Sequence, residues 1–166
     1  MTTNAITFIG LCNEYCIAVE NAHQSERDEF IDLMLKLLPR LYITATDLAS
    51  APVDDADEDV FLVEALDEDY YESVRRGIEE LLGPDDVYLE VFEEDMKYSD
   101  TPVAASVSEG LADIFQPLYN FLNTVRDSTD AVVAGALAAE IDDFRSFWSS
   151  TLCNTLRALN HIRYRQ

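Results

Sequence analysis

SVSEGLADIFQPLYNFLNTV, residues 106–125, sets apolar side chains at Leu111, Ile114, Phe115, Leu118, Phe121, Leu122 and Val125. That is the three-and-four spacing of a single helical face, so the stretch predicts a helix that buries one side. Ser106 followed by Glu109 reads as a capping box at its start. Thr101 before Pro102 offers a competing start a few residues earlier, with proline at a first helical position. Two competing starts predict an irregular or 3₁₀ opening turn. Pro117 lies inside the run and predicts a slight bend.

The same period recurs on both sides. Downstream, beyond a polar break at 127–130, Val133, Leu137, Ile141, Phe144, Trp148, Leu152, Leu156, Leu159 and Ile162 form the longest periodic segment. As one straight helix it would span roughly 45 Å, so it is expected to project or to break near Arg145. Upstream, Ile6, Ile9, Cys12, Cys16 and Val19 predict a helix over about 4–22. Ser25 with Asp28 and Glu29 opens another, whose face runs through Phe30, Leu33, Met34, Leu37, Leu38, Leu41 and Leu48, with a kink expected at Pro39. Asp67 starts a helix that Gly83 and Pro84 end, as a left-handed cap followed by a helix breaker requires. Residues 85–98, DDVYLEVFEEDMKY, alternate briefly like a strand, but no second strand is evident to pair with it, so the segment is expected to be helical or irregular. The sum is an all-α, up-and-down bundle of five or six helices around a single core.

Composition agrees with that class. At 166 residues the chain has the length of one domain, read as 1–166, and 48% hydrophobic content with sixteen Phe and Tyr is enough for a core. An acidic linker is expected at about 50–66, with five acids inside 54–59 and a short apolar island at Val60–Val63. Net charge is −22, and residues 51–100 carry 19 of the 33 acids. Such a field repels phosphates and anionic lipid, so neither nucleic acid nor membrane is expected as a partner. No basic n-region opens the chain and no apolar run approaches a membrane span, which predicts a soluble, cytoplasmic protein. Cys12, Cys16 and Cys153 are odd in number and fall on apolar, helical positions, so they are expected to be reduced core residues.

Candidate chemistry is sparse. Glu26 with Glu29, and Glu140 with Asp143, have the i, i+3 spacing with which helical nucleotide hydrolases hold magnesium. Acids form about one fifth of the chain, however, so roughly six such pairs arise by chance alone. Glu20 with His23 is half of a diiron motif whose other half is missing, since no acid lies within a turn of His161. Arg157 and His161 are too closely spaced for a helical ribonuclease pair, and the basic segment around them is expected to neutralise its own helix end and the acidic middle of the chain. Tyr98, Asp100, Asp113, Tyr119, Trp148 and Arg157 are the residues placed to line a cleft. No phosphate loop, nucleophile elbow or cofactor motif is present, so no cofactor is expected.

At residues 103–122, VAASVSEGLADIFQPLYNFL, the chain resembles an uncharacterised bacterial family, domain of unknown function 5063. FIGLCNEYCIAVENA at 8–22, LLPRLY at 37–42, and Trp148 followed by LRALNHI at 156–162 are similar as well. The resemblance spans nearly the whole chain and implies an all-helical bacterial cytoplasmic domain, with no activity attached. The resulting expectation is a non-enzymatic interaction or scaffold module that meets a basic protein surface. The alternatives are a magnesium-dependent phosphate-ester hydrolase using Glu26, Glu29, Glu140 and Asp143, and an acidic mimic of nucleic acid.

Overall fold

A computed structural model describes residues 1–50, 60–90 and 103–165. Helices α1 (Thr3–Glu20), α2 (Arg27–Ser50) and α3 (Glu68–Leu82) precede two short strands, β1 (Val87–Leu89) and β2 (Ala104–Ser106). Helices α4 (Val107–Val125), α5 (Asp130–Asp143) and α6 (Ser149–Tyr164) follow, the last two joined by a π-helical turn at Phe144–Trp148. The all-α bundle holds one hydrophobic cluster, to which every helix contributes.

Helix α4 is its axis. It packs on α1, α3, α5 and α6, and buries Leu111, Ile114, Phe115, Leu118 and Phe121 among them. At about 1.5–3 kcal/mol for each large apolar side chain removed from water, this one stripe supplies a large share of the folding free energy. Gly110 lets α6 come close: a Cβ there would collide with the Thr155 hydroxyl. The Tyr15 hydroxyl, buried between α1 and α4, donates to the Leu111 carbonyl at 2.6 Å.

The boundaries follow local chemistry. Asp67 accepts from the Tyr70 N–H at 2.7 Å to open α3, and Gly83 ends it with φ 58°. That conformation suits glycine because it has no Cβ to clash. Helix α2 is capped by the Glu26 carboxylate, which accepts from the Asp28 and Glu29 N–H groups at 3.2 and 2.9 Å. Ser25, the expected cap, instead donates to the Asn21 carbonyl. Pro39 and Pro117 are carried inside continuous helices.

Three sequence expectations are corrected. The segment at 87–89 is a strand, and its partner is Ala104–Ser106, paired antiparallel with Tyr88 opposite Ala105. Helix α4 therefore starts cleanly: Ser106 ends the strand and accepts from the Glu109 N–H at 3.2 Å, with no 3₁₀ opening turn. Helix α1 keeps the expected stripe at Cys12, Cys16 and Val19, with Ile9 packed on the core, but Phe8 and Tyr15 are buried with it and Ile6 is 58% exposed. The segment from 130 to 164 breaks near Arg145 as expected: α5 stops at Asp143, a widened π-helical turn takes Phe144–Trp148, and α6 resumes at Ser149 with Phe144, Trp148 and Leu152 buried. The acidic run at 54–59 lies outside the described residues. Among the described residues, no helix is long and apolar enough to cross a membrane.

Candidate functional site

Residues 60–66 form an irregular strap laid along α4. The Thr124 hydroxyl accepts from the Val63 N–H at 2.9 Å, and the Asn120 side-chain oxygen accepts from the Ala65 and Leu66 N–H groups at 3.0 and 2.9 Å. Val60 and Leu62 rest on the core and Leu66 is buried, while Phe61 and Val63 face outward, 86% and 47% exposed. The exposed acids Glu64, Asp67, Glu68 and Asp69 continue directly from them. A bare phenyl ring on a tethered backbone, beside a row of carboxylates, is the most exposed large apolar group among the described residues.

The β1–β2 pair sits between two clefts. The smaller, of ≈ 210 Å³, is polar, with Glu90, Ser106, Glu109, Asp113 and Asn154 on its walls. Asp113 accepts from the Tyr71 hydroxyl at 2.5 Å. Burial pushes its carboxyl pKa up, and the Tyr71 hydrogen bond pulls part of that back. The larger, of ≈ 370 Å³, lies between β1 and α6, with Val87, Tyr88 and Leu89 facing Arg157, Ile162 and His161. Burial, followed by the nearby Glu90, pushes the Tyr88 phenol up to about 12, so it is a neutral donor at physiological pH. Under the first turn of α4, buried Asp86 accepts from both the N–H and the hydroxyl of Ser108 at 2.7 Å, fixing the hairpin to the helix start.

The paired carboxylates are not brought together into a site. Glu26 and Glu29 are exposed at the start of α2, where Glu26 serves as the cap. Glu140 is sealed in the core with 0% exposure, and neither of its oxygens has a hydrogen-bond partner. Burial raises its pKa well above the usual carboxylate range and the Asp143 charge raises it further, against a smaller opposing pull from the Trp148 indole. Cys12 and Cys16 lie close enough to feel that charge, and burial pushes both thiols up into the unreactive protonated form, whereas Cys153, expected in the core, is exposed. Among the described residues, no group of three or more His, Cys, Asp or Glu side chains is arranged to hold a metal ion.

Of the residues expected to line a cleft, Asp113 and Arg157 do so, in different clefts. Tyr119 packs with Tyr70 and Phe115 at ring separations of 5.7 and 5.2 Å, and Trp148 is a core side chain against Phe144. Tyr98 and Asp100 lie outside the described residues. Glu20 accepts from the Tyr70 hydroxyl, while His23 is exposed beside Gly77. The basic C-terminal segment does pair with acids of its own chain, Arg163 with Asp32 and Arg165 with Asp85, each at 2.8 Å. The strap's anchors, Asn120 and Thr124, were not singled out from sequence, because on a helix they read as ordinary polar flank.

The family model described as "Domain of unknown function (DUF5063)" matches residues 1–165. Among solved structures, the crystal structure of protein BF1032 from Bacteroides fragilis is similar at a TM-score of 0.82 and 27% identity. That match covers 99% of this chain and 95% of the other. No curated protein matches the sequence.

Proposed function

The chain belongs to the DUF5063 family, and from that premise, which supplies a fold and no chemistry, we propose that it is a non-enzymatic interaction module whose docking element is the strap at 60–66. The observation that carries this reading is Phe61, 86% exposed two residues before Val63, where Thr124 and then Asn120 begin to hold the strap's backbone. Leaving a phenyl ring in water forgoes about 1.5–3 kcal/mol, while tethering the strap in advance lowers the entropy cost of binding. The acids at 64 and 67–69 define the partner: a protein with an apolar pocket in a basic surface. The long-range field of the −22 charge would raise the association rate more than the final affinity.

Affinity capture from native lysate tests this. Wild-type protein is expected to retain a stoichiometric basic partner at low salt and release it at high salt. Phe61→Ser should lose that partner while keeping its melting temperature, since substitution at so exposed a position changes stability by about 0.5 kcal/mol or less. A partner retained equally by Phe61→Ser, or no partner at all, would contradict the reading.

A further inference from the structure

The cleft between β1 and α6 is an open groove, and no residue of the strap lines it. Its volume of ≈ 370 Å³ falls within the range of ligand pockets. Arg157 and His161 stand one helical turn apart along one wall, and Val87 and Leu89, both largely exposed, form the other. Arg157 is pre-oriented: one of its terminal nitrogens donates to the Leu89 carbonyl at 2.6 Å, and its guanidinium carbon stands 6.0 Å from the centre of the Tyr88 ring. That single bond goes to a neutral acceptor. Among the described residues no carboxylate pairs with Arg157, although the chain has only 11 Lys and Arg against 33 acids. The other cation at the cleft, Arg165, is already bound to Asp85 on the far wall.

We propose that this cleft binds a small organic carboxylate with an apolar body. The carboxylate takes the remaining N–H groups of Arg157 and a ring nitrogen of His161, and the apolar part lies against Val87, Leu89 and Ile162. A planar carboxylate matches the planar guanidinium fork. A single negative charge suits the site better than a double one, because Asp85 lines the same cleft and the net field of the protein opposes anions. The exposed valine and leucine gain a partner that a hydrophilic ion would not give them.

The test is a titration of ¹⁵N-labelled full-length protein followed by NMR, with hexanoate, hexanamide and inorganic phosphate as separate probes. Hexanoate should give saturable shifts at residues 87–89 and 157–162, and hexanamide should bind the same residues about tenfold or more weakly. Arg157→Ala should weaken hexanoate by about tenfold to a hundredfold, with Arg157→Lys in between. His161→Ala, which leaves the Leu89 contact untouched, should also weaken it. Equal binding of hexanoate and hexanamide would reduce the cleft to an apolar groove. Phosphate binding as tightly as hexanoate would make it a general anion site, and no saturable shift would leave Arg157 as a tie between α6 and β1. Any of these three results would overturn the proposal.

Discussion

At the scale of single residues, Glu140 departs most sharply from what a stable core would choose. Its carboxyl is buried without a normal-length hydrogen bond, against its solvation cost, and the equally buried indole N–H of Trp148 offsets only a smaller part of that cost. Its pKa is raised on folding, so its contribution to stability is fully present below about 4.3, its ordinary value, and is lost as pH rises through the folded value. Glu140→Leu is expected to stabilise the protein by about 1–3 kcal/mol at neutral pH and to flatten the decline of stability toward alkaline pH, as read by urea denaturation across pH. Gly110 gives the opposite sign. Alanine would normally favour a helix interior by about 1 kcal/mol, but the collision with Thr155 turns Gly110→Ala into a loss of about 1–3 kcal/mol. Adding Thr155→Ala should recover most of it, which a double-mutant cycle would measure.

At the scale of elements, the helices were legible and the extended pieces were not. Periodicity found α2, α3, α4 and the 130–164 segment because each buries one stripe against α4 or its neighbours. It erred at the entry to α1, where Ile6 and Phe8 lie on opposite sides of the helix and the aromatic ring is the one buried, while Cys12, Cys16 and Val19 keep the expected stripe. The β1–β2 pair escaped because each strand has three residues and the partner strand, Ala104–Ser106, has no strand-like composition. Glu140 occupies the buried stripe with Val133, Ala136 and Phe144, a register visible in the sequence, but its acidity suggested a surface pair with Asp143. The strap could not be read at all, since two side chains on α4 hold its backbone. Asn120→Ala should therefore leave the Ala65 and Leu66 N–H groups without their acceptor, at a cost of about 1–2 kcal/mol. Hydrogen exchange is expected to accelerate at 63–66 while α4 stays protected.

At the scale of the whole molecule, negative charge and a central helix divide the work. Helix α4 organises the core, and it also carries the strap on Asn120 and Thr124 and the hairpin on Ser108. Both candidate surfaces are therefore referenced to the same rigid axis. Ion pairs with the C-terminal arginines neutralise Asp32 and Asp85, whereas the acids beside the strap at 64 and 67–69 are exposed. For a partner that docks there, raising ionic strength from about 0.05 to about 0.5 M should slow association at least about tenfold and change dissociation by about twofold or less, as surface plasmon resonance would read.

The central claim is that Phe61 is a docking side chain, and photo-crosslinking in cells from that position tests it most directly. With Phe61→p-benzoylphenylalanine the account predicts one discrete adduct to a different, basic protein, absent when the same probe replaces Asn13 on the exposed face of α1. An adduct only to a second copy of this chain, or none above the Asn13 control, would contradict it.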